Sequence, residues 1–129
     1  MLAQSQITLS ANGGSPDILT IFGNANWGGY DIYLWDSPTH YEIIGSNDGT
    51  QQTNRFSLRH SPAELVTRRL VWQGVVRPFD PASKGPFSVK CGFYQNNQLV
   101  TTYDVEPKAA GQFSGPFEYV VIICTFTIG

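Results

Sequence analysis

The sequence predicts an all-β protein: an antiparallel β-sandwich, jelly-roll or immunoglobulin-like, of about nine strands with one short helical turn. Three observations carry this. Apolar residues recur mostly with period two, the mark of half-buried strands, over segments of strand length. Thirteen glycines and eight prolines lie spread along the 129 residues and break those segments at short intervals. β-Branched and aromatic residues fill the segments, which together with Gly and Pro excludes a coiled coil.

Residues 6–10 alternate polar and apolar and form the first strand, broken by Asn12-Gly13-Gly14-Ser15-Pro16. Residues 17–22 are the second. Residues 23–29 read as a loop and 30–35 as the third strand, ended by Asp36-Ser37-Pro38. Residues 40–44 are the fourth, before the turn Ser46-Asn47-Asp48-Gly49, whose residues tolerate positive φ. Residues 54–59 are the fifth, with Phe56 and Leu58 on one face. Ser61-Pro62-Ala63-Glu64 then places Ser at the N-cap, Pro at the first helical position and Glu at the third, a capping box. The β-branched pair Val66-Thr67 holds that helix to a turn or two.

Residues 69–76 are a long strand, with a bulge expected at Gly74. Residues 77–86 contain three prolines and read as the longest loop. Residues 87–94 and 98–103 flank Gln95-Asn96-Asn97 as a hairpin. Residues 106–116 are a second loop, and 117–128 the final strand. That strand is apolar on both sides: Val120, Ile122, Cys124, Phe126 and Ile128 on one, Tyr119, Val121 and Ile123 on the other. Such a strand lies centrally in a covered sheet or at a subunit contact.

The length suits one domain, residues 1–129, with no internal repeat or linker. Three Trp, six Tyr and eight Phe exclude a disordered chain. Charged residues make up 14%, against about 25% in an ordinary protein, so uncharged polar groups coat the surface. A formal charge of −2 argues against nucleic acid or an anionic membrane as partner. The opening residues 1–6 lack the basic and apolar regions of a secretory signal. Synthesis in the cytoplasm is expected, with the final location left open. No apolar run reaches the roughly 18 residues of a membrane-spanning helix. Cys91 and Cys124 belong to no CxxC pair and are expected as buried, reduced thiols.

Catalytic patterns are missing: no GxSxG, HExxH, P-loop or calcium-loop motif occurs. His40 and His60 are the only histidines, which excludes a three-histidine metal site. Ser61 follows His60, but neighbours in a strand face opposite ways, and Ser61 reads as the helix cap. Asp31 and Asp36 lie near aromatics, yet small sandwiches rarely hold the cleft a glycosidase needs. The expectation is a non-enzyme without catalytic residues, cofactor or metal.

The stretch Asn24-Ala25-Asn26-Trp27-Gly28-Gly29-Tyr30-Asp31 points to carbohydrate. A sugar's C–H face packs on an aromatic ring, and its hydroxyls bond to amides and carboxylates. Asn24, Asn26, Trp27, Tyr30, Asp31 and Trp35 are the expected ligand-binding residues, with Trp27 partly exposed and stacking on the ligand. The alternative role for Trp27 is to plug one end of the sandwich. Tyr33 and Trp35 alternate with Ile32 and Leu34, so an outward-facing Tyr33 and Trp35 would form an aromatic stripe continuous with Asp31, suited to a ligand or a dimer face. Gln95, Asn96 and Asn97 could add amide contacts, although a plain turn explains them. Arg55, Arg59, Arg68, Arg69 and Arg77 form either a solvated face or a patch for sialylated or sulfated glycans.

Ile21-Phe22-Gly23, followed by Trp27, Tyr30, Asp31 and Ile32, resembles the strand, aromatic loop and strand of fungal fruit-body lectins and actinoporins. No residue role is carried over from that short resemblance. The function expected is non-enzymatic carbohydrate binding by a lectin-like homo-oligomer through multivalent attachment to glycans, with no nucleic-acid partner. A structural, self-assembling or toxin-associated sandwich is the alternative, and a membrane-active pore former the third.

Overall fold

The computed structural model describes residues 1–23, 26–49, 53–80, 82, 85–100 and 107–129. They form ten strands and one short helix: β1 (Leu2–Leu9), β2 (Asp17–Gly23), β3 (Asn26–Ser37), β4 (His40–Asn47), β5 (Thr53–Ser57), α1 (Pro62–Leu65), β6 (Arg69–Pro78), β7 (Pro86–Gln95), β8 (Gln98–Leu99), β9 (Lys108–Gln112) and β10 (Glu118–Ile128). One sheet has the order β1-β10-β6-β3-β4, the other β5-β2-β7-β8 with β9 also paired to β7. All pairings are antiparallel except β1 with β10, where Leu2 through Leu9 run parallel to Val121 through Ile128.

The two sheets enclose one core. Its centre is Trp72, fully buried on β6. The Tyr30 ring of β3 stacks on it at 4.9 Å and Phe22 of β2 meets it edge-on at 6.2 Å. The Trp72 indole N–H donates to Thr20 Oγ1 at 3.2 Å, so the one polar atom of this large side chain is satisfied from the opposite sheet. Phe93 and Phe126 close the sandwich farther along, edge to face at 5.7 Å. Val120, Ile122, Cys124 and Phe126 face inward as their spacing requires, whereas Ile128 is 42% exposed because the strand runs past the core there. Cys91 on β7 and Cys124 on β10 are buried and unbridged. Burial pushes the Cys124 thiol up to about 12.

Local signals hold where side-chain chemistry decides alone. Ser61 Oγ accepts from the Glu64 N–H at 3.3 Å, and the Glu64 carboxylate accepts from the Ser61 N–H at 3.4 Å, giving the capping box. Asn96 and Asn97 have φ of 54° and 63°, the left-handed pair of a two-residue hairpin between β7 and β8.

Where strands approach closely, the expectations fail. Residues 26–29 are strand, not loop: Asn26, Trp27, Gly28 and Gly29 pair with Pro78, Arg77, Val76 and Val75. The glycines serve proximity, since a Cβ on Gly28 would lie 1.8 Å from the Val75 carbonyl oxygen. Gly74 carries no bulge. Its register is continuous, and a Cβ there would fall 2.6 Å from Tyr30 Cβ. The irregularities sit instead between β3 and β4, after Ile32 and after Trp35. β9 lies within the stretch expected as a loop, paired to β7 through Lys108–Gln112. Residues 101–106, including the end of the expected hairpin, lie outside the described residues.

Candidate functional site

Once residue 26 belongs to β3, period-two alternation fixes the side chains of the expected site that lie on this strand. Even positions turn inward and odd positions outward, as the burial pattern of the strand records. Asn26 and Tyr30 are thereby removed from the ligand-facing set. Asn26 is 1% exposed, and its Oδ1 accepts from the Ser88 N–H at 2.8 Å, tying β3 to β7 of the other sheet. Tyr30 is buried against Trp72 and Phe22, and burial raises its hydroxyl above the usual tyrosine range, partly offset by the Thr20 and Asn47 side chains. Asn24 lies outside the described residues. Gln95 is also committed: its amide donates to the carbonyls of Ser10 and Gly14 at 3.0 and 2.9 Å and accepts from the Ser10 N–H at 3.0 Å.

Trp27, Asp31 and Trp35 do face outward, half-buried. Trp27 leans on Phe79 at 6.2 Å between ring centres, and Gly49 lies against its six-membered ring. The Ser46 hydroxyl donates to Asp31 at 2.6 Å across the β3–β4 pair. Trp35 packs against Tyr41 at 4.6 Å, and Tyr41 meets Tyr33 edge-on at 5.2 Å. The aromatic stripe continuous with Asp31 therefore exists, on the outer face of the five-stranded sheet.

Trp35 also walls a groove of about 670 Å³. One bank is the β3–β4 turn, with Asp36, Ser37 and Pro38; the other is the segment after α1, with Val66, Thr67 and Arg68. Arg69 and Val71 of β6 and Ile123 and Thr125 of β10 form the floor. A depression of about 290 Å³ carries on from Arg69, Ile123 and Thr125 to Gln4 and Gln6 of β1. Register explains the continuity. Trp35 lies beside Arg69, Arg69 beside Thr125, and Thr125 beside Gln6, so residues remote in sequence form one row across four strands.

The groove carries two guanidinium groups and one carboxylate. Asp36 is held below the ordinary carboxylate range, chiefly by its 2.7 Å contact with His40 and further by the charges of His40 and Arg68. Arg68 reaches Glu64 only at 4.0 Å, and its buried Nε has no hydrogen-bond partner among the described residues. Arg69 is exposed and makes no ion pair among the described residues. The other arginines disperse. Arg55 binds Asp17 at 2.9 Å and covers the Tyr94 ring, Arg59 donates to the carbonyls of Ile43 and Ile44, and Arg77 lies over Phe117.

His60 is flanked by Glu42 and by Glu64 at 3.1 Å. The Ser61 hydroxyl beside it is committed to Glu64. No group of three His, Cys, Asp or Glu side chains among the described residues could hold a metal ion. No described helix is long and apolar enough to cross a membrane. No family model, curated protein or solved structure matches the chain.

Proposed function

We propose that the protein is a non-enzymatic carbohydrate-binding module that works by multivalent attachment, with its ligand in the groove beside Trp35. The observation that supports this most is the composition of that groove. One indole stands over an open trough whose remaining polar groups are hydroxyls, amides, two guanidiniums and a carboxylate. A pyranose needs this combination: a flat apolar wall for its C–H face and hydrogen-bonding groups around its rim. Across β3, β6, β10 and β1 the trough spans about 14 Å at the usual strand spacing, long enough for more than one ring. Trp27 plays a packing role in this reading, because Phe79 and Gly49 already occupy its surroundings.

Stacking on one indole is worth on the order of 1 kcal/mol beyond area burial, so a single site binds weakly and the module acts as a homo-oligomer presenting several sites. The test is capture on a glycan array. Intact protein binds sugars, and Trp35→Ala, which also gives up its packing on Tyr41, loses that binding at temperatures where it remains folded. Binding that survives Trp35→Ala, or an intact protein that ignores every sugar, refutes the reading.

The second reading, a structural or self-assembling sandwich, is favoured by one specific feature. The outer face carries Ile43 and Tyr119, 56% and 51% exposed, with Tyr33, Val71, Val121 and Ile123 half-buried between them. Open-ended association in light scattering, with no glycan captured, would support it.

A further inference from the structure

We infer that the groove selects acidic sugars, receiving a carboxylate or sulfate between Arg69 and Arg68 while the sugar ring lies against Trp35. This rests on the carbohydrate reading and adds the ligand's charge. The starting point is an imbalance. The whole chain has a formal charge of −2, yet the groove beside Trp35 is lined by two arginines and a single carboxylate. That carboxylate, Asp36, is engaged by His40, whereas Arg69 has no anionic partner among the described residues.

Arg68 supplies a second and independent sign. Its Nε–H is buried without an acceptor among the described residues, its ion pair with Glu64 is long at 4.0 Å, and Asp36, which feels its charge, is held by His40. Arg68 lines the groove with its side chain 21% exposed, and an oxyanion seated there would pair with that exposed part. Arg69 lies next to Trp35 in register, so an anionic substituent can meet its fork while the ring it belongs to meets the indole. Thr125 and Gln6 continue the same row and offer hydroxyl and amide groups to the rest of the glycan. Neutral sugars would leave Arg69 without an anionic partner, which is the basis for discrimination.

The experiment is an array that pairs sialylated, uronic-acid and sulfated glycans with their neutral parents, probed with the full chain and with Arg69→Gln and Arg68→Gln. Binding is expected on acidic members, at least tenfold weaker on their neutral parents, and at least tenfold weaker for Arg69→Gln. Raising salt from 0.1 to 1 M shortens the screening length from about 10 to about 3 Å and should weaken capture further. Arg69 is exposed, so its variant should melt like the parent. Arg68→Gln should weaken acidic capture as well, read at temperatures where its melting curve shows it folded. Equal capture of acidic and neutral glycans overturns the inference and leaves carbohydrate binding standing. Acidic capture untouched by Arg69→Gln also overturns it, since the anion is then held elsewhere. No capture of any glycan overturns both.

Discussion

Ile122→Ala and Ile123→Ala are adjacent substitutions of the same kind on one strand, and the structure assigns them different costs. Ile122 is fully buried on β10, between Ala3 of β1 and Trp72 of β6 in register, and faces the core. Truncating it removes apolar surface and leaves a hole beside a rigid indole. Such changes cost about 2–5 kcal/mol, depending on how far the surroundings collapse. Trp72 is held by Tyr30, Phe22 and its bond to Thr20, so little collapse is available and the upper half of that range is expected. Against a total stability of about 5–15 kcal/mol for a domain, this is a large fraction. At roughly 3–5 °C per kcal/mol for this chain length, the melting temperature should fall by more than about 10 °C. Ile123 is half-buried on the outer face, and its truncation should cost about 1 kcal/mol or less. Thermal denaturation followed by circular dichroism measures both. Equal losses, or a larger loss at Ile123, would refute the register of β10 and with it the inner and outer assignment of the whole sheet.

Gly28→Ala should destabilise severely, because the new methyl would overlap the Val75 carbonyl and β3 would have to move from β6; a chemical-denaturation midpoint near the parent's would show that the two strands are not so close. Native protein should leave Cys124 unlabelled by a thiol reagent at neutral pH, since its thiol is pushed up to about 12, and unfolding should release it for labelling; rapid native labelling at Cys124 would contradict its burial. Acid should destabilise the fold. Asp36 is held down mainly by His40, and Glu64 by His60 and then Ser61, so the unfolded chain binds more protons than the folded one. The stability they contribute is complete above the ordinary carboxylate range and is lost as pH falls through their lowered folded values; a midpoint unchanged between pH 6 and pH 3 would contradict this. Ser61→Ala removes a cap and should cost about 0.5–2 kcal/mol by the same denaturation assay.

The strands were legible where alternation was clean, and so was the capping box, because each is written in a few adjacent residues. The Asn96-Asn97 turn was legible for the same reason. Gly28 and Gly29 misled, because a glycine needed for a turn and one needed for close strand approach look alike in sequence, and at Gly28 only the position of Val75 separates them. That error moved the site. Reading residues 23–29 as a loop left Asn26 free to point outward, whereas a strand sends it into the sandwich to meet Ser88. Alternation put Tyr33 and Trp35 on one face but not on a particular side; the burial of Ile32 and Leu34 makes that face the outer one. The rest of the groove did not follow from alternation, because Arg69, Thr125 and Gln6 come from three distant segments and become neighbours only through strand order, including a parallel pairing that no local pattern encodes.

Trp27 and Trp35 stand on the same face of the same strand, and the account separates them. Glycan capture by Trp27→Ala and Trp35→Ala, each with its melting temperature, is the most direct test. Trp35→Ala should abolish capture at temperatures where it remains folded, although it gives up the packing on Tyr41. Trp27→Ala, which removes the packing on Phe79, should keep its capture at temperatures where it remains folded. Capture lost in a folded Trp27→Ala and kept in a folded Trp35→Ala would refute a site at Trp35 and return it to the Trp27 end of β3.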